Sequence, residues 1–318
     1  MRAVGFDVNG GPEVLRPVEL PVPEPGPGRV LIRVAYAGVN FGEVQHRLGD
    51  FGPADGIEVP GLEISGEVAE LGAGVTGLAP GDPVAAYLPD AGGYAEYAVA
   101  PAAFVFPLDG ISLRDGGGAA LALTTAWGVL TGAARLTAGD TVLIHAAAGG
   151  VGSVAAQLAR ALGAASVHGT VSSAAKARYA ERFGYDAVHL RDGFAAHVSD
   201  LDVVLDPIGG PTRQASLTVL APFGRLAVYG DAARRPDLNL PVLPFWKNNR
   251  SLTGYDIADL ARRAPDRVRS HALSALSLLA SGTIRLDISA ELPLTSAAQA
   301  HETLQSGLNV GKTLLTVG

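Results

Sequence analysis

A chain of 318 residues exceeds what one hydrophobic core usually organises, so two domains are expected. A net charge of −7 with no Lys/Arg cluster argues against a nucleic-acid partner, and the high apolar content fits a soluble enzyme with a large core. Cysteine is absent, which removes disulfides, thiolate nucleophiles and thiolate-ligated zinc.

The opening Met1 to Phe6 reads as a strand, not as a signal peptide, and no apolar run reaches membrane-spanning length. A cytoplasmic protein with no membrane partner is the expectation. Pro12 to Pro27 is rich in proline, yet Pro25-Gly-Pro-Gly28 leads straight into the alternating strand Arg29 to Tyr36, so it reads as an ordered run-in. Gly38-Val-Asn-Phe41 then turns into a short helix from Glu43 to Leu48. Further strands are expected at Pro60 to Val68, Gly92 to Val99 and Phe104 to Pro107, and Leu78 to Ala86 reads as a turn into another. Short strands with Gly/Pro turns indicate a β-rich first domain.

From Asp115 the pattern changes. Ala119 to Leu130 is apolar, Ala-rich and helical, and it leads into Thr141-Val-Leu-Ile-His-Ala-Ala-Ala-Gly-Gly-Val-Gly152. Thr141 to Ala146 looks like a buried strand, the glycines turn the chain, and Val154 to Leu162 has apolar residues at helical spacing. Strand, glycine turn and helix make the layout of a dinucleotide-binding unit, with Ala146-x-x-Gly149-x-x-Gly152 as a variant of its fingerprint. Ala148, Gly149, Gly150, Val151 and Gly152 form the turn where a pyrophosphate would meet a helix N-terminus. Small residues pack turns in many α/β proteins, so the motif alone is weak.

Ser166 to Val171 reads as the next strand. Its end, Gly169-Thr-Val-Ser-Ser173, has no carboxylate to bond ribose hydroxyls, and Lys176 follows. Hydroxyls from Ser172 and Ser173 plus a cation suit a 2′-phosphate, so NADPH is expected over NADH. The plainer alternative is a helix cap at Ser172 or Ser173 and a solvated lysine. Strands at Leu201 to Leu205 and Gly224 to Tyr229, with a helix from Thr212 to Leu220 between them, continue a doubly wound parallel sheet. Trp246 to Gly254 crosses back. Helices at Val268 to Leu279 and Ser296 to Gln305, and strands near Asp287 and at Lys312 to Val317, form a tail too short to be a domain. It is expected to complete the first one.

Read together, Ala37-Gly-Val-Asn40, Pro60-Gly-Leu-Glu63, Gly92-Gly-Tyr-Ala-Glu-Tyr97, Leu123-Thr-Thr-Ala126, the glycine turn and Gly311-Lys312 carry a resemblance nearly end to end. The chain resembles the zinc-independent branch of the medium-chain dehydrogenase/reductase superfamily, the quinone oxidoreductase and enoyl reductase group. The glycine loop and Arg191-Asp192 look most like the enoyl reductase units of polyketide synthases. The resemblance implies an α/β protein with a β-rich GroES-like catalytic domain (1–121 with 248–318) and a Rossmann nucleotide-binding domain (122–247). Homodimers are common in the resembled group.

The resemblance also implies roles. Asn40 would orient cofactor or substrate beside the nicotinamide, and Thr124 and Thr125 would pack against it; Asn40 and Thr125 are the catalytic candidates. Lys176 and Arg191 match positions that reach the adenosine phosphate, Tyr229-Gly230 ends a strand at the ligand-binding edge of the sheet, and Asn309 joins the cofactor set. Phe41, Phe51, Tyr94, Phe245 and Trp246 would wall a pocket for a hydrophobic small molecule. Zinc alcohol dehydrogenases carry Gly-His-Glu where this chain has Gly61-Leu-Glu63, and Leu62 cannot ligate a metal, so no metal is expected. His145 reads as a satisfied core histidine. The chain departs from the group in three respects: Glu43 replaces an Asp, Phe51 stands where a Tyr is common, and Thr212 and Ala233 replace a Lys/Asp proton-donor arrangement. No general acid can be named.

The expected function is NADPH-dependent reduction of a quinone or an α,β-unsaturated carbonyl compound, with hydride passing in a cleft between the domains. The alternatives are a redox-neutral enzyme on the same fold, such as a biosynthetic cyclase, and a non-catalytic binding protein.

Overall fold

Alternating and β-branched runs become strands, and the Ala-rich periodic runs become helices, in a computed structural model that describes residues 1–236 and 238–318. The first stretch holds β1 (Arg2–Gly5), β2 (Arg16–Glu19), β3 (Arg29–Val39), α1 (Phe41–Arg47) and β4 (Glu63–Leu71). β5 (Pro83–Tyr87), β6 (Tyr97–Pro101), β7 (Val105–Pro107), α2 (Leu113–Gly116) and α3 (Ala122–Gly128) follow. Next come β8 (Thr141–His145), α4 (Gly150–Ala161), β9 (Ser166–Val171), α5 (Ala174–Ala180), β10 (Ala187–Leu190) and β11 (Leu201–Asp206). α6 (Gly210–Thr218), β12 (Leu220–Val228), α7 (Leu243–Lys247), β13 (Ser251–Gly254) and α8 (Ile257–Arg263) lead to the tail. The tail is α9 (Pro265–Ala280), β14 (Ile288–Pro293), α10 (Ala297–Gln305) and β15 (Lys312–Thr316).

The chain divides into two units: Met1–Thr124 with Ala261–Gly282 and Leu286–Gly318, and Thr125–Leu260 with Thr283–Arg285. In the first, seven strands join in the order β14-β15-β3-β4-β5-β7, with β6 also on β3, and β1 pairs β2 separately. The tail does complete this sheet, because β15 lies antiparallel to β3 (Leu315 opposite Ala37). Val30, Ile32, Val34, Ile64, Val84, Ala98 and Leu315 close its core from alternate strand positions.

The second unit is a six-stranded, all-parallel sheet in the order β10-β9-β8-β11-β12-β13. Numbered within the unit this is 3-2-1-4-5-6, the dinucleotide-binding order, whose crevice opens between its first and fourth strands. Those are β8 and β11. Residues 248–260, expected in the first domain, lie here instead, because β13 pairs with β12 (Leu226 opposite Leu252). Among the described residues no helix is long and apolar enough to cross a membrane.

Candidate functional site

The glycine turn sits at the carboxyl end of β8. Ala146 takes a left-handed φ of 55°, and extended Gly149 precedes the first residue of α4. A Cβ on Gly152 would lie 2.3 Å from the Ala146 carbonyl oxygen, so only glycine lets the first turn of α4 fold this tightly onto the strand end. The first-turn N–H groups of a helix have no partner within it, and such a cradle suits a pyrophosphate. Tyr185 supports the turn from within, donating from its hydroxyl to Gly152 O at 2.8 Å, while Gly169 leaves room for its ring. Sequence reasoning missed Tyr185; the glycine inside a strand was the one signal for it.

At the end of β9, Ser173 caps α5 by accepting the Lys176 N–H at 3.3 Å, and exposed Ser172 stands beside it. Lys176 is partly buried. That burial, and then the nearby Arg191 guanidinium, lower its pKa. Among the described residues neither cation has an ion-pair partner in this unit. Two crowded cations without a carboxylate are a place where an anion relieves repulsion. Arg191 is held there by its own N–H, which donates to Val171 O at 2.7 Å.

The neighbouring loops are braced. Buried Asp206, ending β11, accepts from Ile208 N, Gly209 N and Arg213 Nε, and Arg213 reaches on to Gly230 O at 2.8 Å. Burial, and then Asp206, push the Tyr229 phenol up, so it keeps its proton and remains a donor. His145 is fully buried and bonded at both ring nitrogens, to Thr170 Oγ1 at 2.6 Å and Ser216 Oγ at 2.8 Å. Burial holds it neutral, with a pKa lowered to about 4.

In the first unit, Asn40 precedes α1 amid a buried charged group. Its amide nitrogen faces Glu63 Oε1 at 3.1 Å and Glu43 Oε1 at 3.2 Å, and its amide oxygen accepts from Lys312 Nζ at 2.7 Å. Lys312 also forms an ion pair with Glu63. A Cβ on Gly38 would lie 2.5 Å from Glu63 Oε1, so the glycine lets that carboxylate lie against β3. Glu43 accepts from Asn40 N, Leu62 N and Tyr94 Oη; burial raises its pKa to about 7.

Residues 26–110 match the alcohol dehydrogenase GroES-like domain, and residues 150–274 match the zinc-binding dehydrogenase family. The chain is 34% identical to the quinone oxidoreductase of Pseudomonas aeruginosa, over 99% of both chains. This chain belongs to the quinone oxidoreductase group of the medium-chain dehydrogenase/reductase family. Within that family it is also 33% identical to the 2-haloacrylate reductase of a Burkholderia species, over 96% of both. It is 36% identical to polyketide synthase GfsB of Streptomyces halstedii over 91% of its own length, but spans only 5% of that much longer protein. A mycobacterial structure complexed with NADPH superposes with a TM-score of 0.92 at 32% identity, over all of both chains.

For a quinone oxidoreductase homologue, several expected residues fall together. Ala148 to Gly152 form one turn, Ser172, Ser173, Lys176 and Arg191 lie about the end of β9 in the same unit, and Tyr229 and Gly230 follow β12 in that unit. Thr124 is buried and donates to Ala120 O in the preceding turn; Thr125 is nearly buried one residue on. Phe41 starts α1 beside Asn40, and Asn309 is partly buried ahead of β15. Phe51 is 70% exposed and Trp246, next to Phe245 on α7, is 72% exposed. Tyr94 corrects the expectation: it is fully buried, its hydroxyl held by Glu43 and His301, so it packs the core instead of walling an open pocket.

Proposed function

We propose that this chain is an NADPH-dependent oxidoreductase that reduces a conjugated small molecule, a quinone or an α,β-unsaturated carbonyl compound, without zinc. The observation that carries the reading is the Lys176–Arg191 pair at the carboxylate-free end of β9, next to a turn that only glycine can make. Those two cations and the serine hydroxyls would hold the 2′-phosphate, and the N-terminus of α4 the pyrophosphate. When bound, NADPH supplies the hydride. The tasks left to the protein are to position the ring, keep the site dry and orient the acceptor. Asn40 and Thr125 are our candidates for positioning, with Thr124, Asn309, Tyr229 and Gly230 on the cofactor.

The donor set supports independence from zinc. Leu62 offers no ligating atom, the chain has no cysteine, and the Glu43 and Glu63 carboxyls are each engaged by four hydrogen bonds. The relatives named a quinone oxidoreductase and a 2-haloacrylate reductase act on electron-poor conjugated compounds by their names, which supports that acceptor class. Phe51, Thr212 and Ala233 offer no acidic proton, so we assign the proton of the reduced product to water. In this reading the enzyme works in the cytoplasm on a hydrophobic molecule gripped by Phe41, Phe51, Phe245 and Trp246.

Stopped-flow mixing of protein-bound NADPH with a panel of quinones and enones tests the reading. Loss of the reduced-nicotinamide absorbance with turnover is expected. Product without bleaching would mean a redox-neutral enzyme, and no nucleotide binding would leave a binding protein.

A further inference from the structure

The charged group around Asn40 is filled from within. Lys312 Nζ carries three hydrogens and meets three acceptors: Val39 O at 3.3 Å, Asn40 Oδ1 at 2.7 Å and Glu63 Oε1. The second Glu63 oxygen accepts Leu121 N at 2.8 Å and Ala122 N at 3.4 Å, where α3 begins. On Glu43, Oε1 accepts Leu62 N at 2.9 Å and Asn40 Nδ2, and Oε2 accepts Asn40 N and the Tyr94 hydroxyl. Lys312 and Glu63 therefore offer nothing to a ligand, and both are buried.

Asn40 is different, because it alone of the four is only partly buried. Its two amide hydrogens are committed among Glu63 Oε1, Glu43 Oε1 and Gly38 O. Turning the amide over would set its oxygen against two carboxyls and its –NH₂ against an ammonium. Local charge thus decides which end of the amide points where. The nitrogen end is used up inside the protein, whereas the oxygen has two lone pairs, one of them taken by Lys312.

We propose that Lys312 and Glu63 are positioning residues that make Asn40 an acceptor only, one that takes an N–H of the nicotinamide carboxamide on Oδ1 and does not polarise the substrate carbonyl. This rests on the reading above that Asn40 faces the nicotinamide. Two side chains 249 positions apart in the chain then set the polarity of one contact.

The test compares binding of NADP⁺ with its 3-acetylpyridine analogue, which keeps the carbonyl and replaces the –NH₂ by methyl. Calorimetry on the intact protein should show NADP⁺ bound roughly three- to tenfold more tightly, the range of one neutral hydrogen bond. Lys312→Met/Glu63→Gln, which removes both charges that orient the amide, should abolish that preference, whereas Lys312→Met alone, which leaves the carboxyls on Asn40 Nδ2, should reduce it. Lys312→Arg, which restores a donor to Oδ1, should retain it. All three should keep the preference for NADP⁺ over NAD⁺, set in the other unit, which a general loss of fold would erase. Should the Met variants not fold, Asn40→Ala decides, with loss of the preference expected. A wild-type protein that binds both nucleotides equally, or a Lys312→Met/Glu63→Gln or Asn40→Ala variant that prefers NADP⁺ as strongly as the wild type, overturns the proposal. A wild-type protein that binds neither overturns the cofactor reading and the proposal with it.

Discussion

Lys176 is the residue on which cofactor choice should turn. A charge-assisted contact to the 2′-phosphate is worth roughly 1.5–3 kcal/mol, about 10- to 100-fold in affinity. Lys176→Ala should therefore weaken NADPH by about that factor and leave NADH nearly unchanged, as measured by fluorescence titration with each; equal losses would contradict the phosphate assignment. The site was legible at this scale where the signal was local: a missing carboxylate, a cation four residues on, glycines at fixed spacing. It was illegible where the partner was remote. Nothing in the order of residues announces that Glu63 meets Lys312, that Tyr185 stands under Gly152, or that the Tyr94 hydroxyl is taken by Glu43 and by His301, 207 positions away.

Elements were legible in proportion to their periodicity. Ser166–Val171 is a strand with the expected bounds, whereas the expected helix to Leu220 ends at Thr218, because Leu220 already begins β12. The expected helix from Ala119 to Leu130 regularises only at Ala122 and closes in a widened turn, Val129–Ala133, that composition does not reveal. The crossing segment was placed in the wrong unit because β13 is only four residues long, too short for alternation to show. β13 is the last strand of the parallel sheet and, among the described residues, has no strand partner on its outer edge, where Leu252 is 43% exposed. Such an edge is a template for pairing with another strand. A two-fold axis at β13 would join the edges of two copies. We expect a homodimer by light scattering, and Leu252→Lys should shift it to monomer; a dimer unmoved by that charge would place the interface elsewhere.

On the scale of the whole molecule, the buried titratable groups divide unevenly between the units, and acid should reveal it. In the second unit His145 has its pKa lowered to about 4, by burial first. Between pH 6.5 and 4 the unfolded chain therefore binds a proton that the folded unit refuses, and stability falls as pH falls. In the first unit His301, lowered to about 3 by burial and then by Arg47, acts in the same direction. Glu43 opposes it. With its pKa raised to about 7, the folded unit holds a proton between pH 7 and 4.5 that the unfolded chain releases, so its contribution grows as pH falls. His271 in the first unit and His189 in the second are both lowered, chiefly by burial, so each unit carries one further group of this sign. The second unit is left with about one more proton of acid sensitivity, worth roughly 2 kcal/mol over two pH units. Hydrogen exchange on the intact chain at pH 6.5 and 4.5, corrected for intrinsic rates, should show peptides of residues 141–228 losing more protection than those of residues 29–101. Replacing Glu43 by Gln removes the opposing group, so the first unit of that variant should lose protection with acid as steeply as the second. Equal losses in the wild-type chain would show that Glu43 stays ionised in the fold, its four hydrogen-bond donors outweighing the cost of burial.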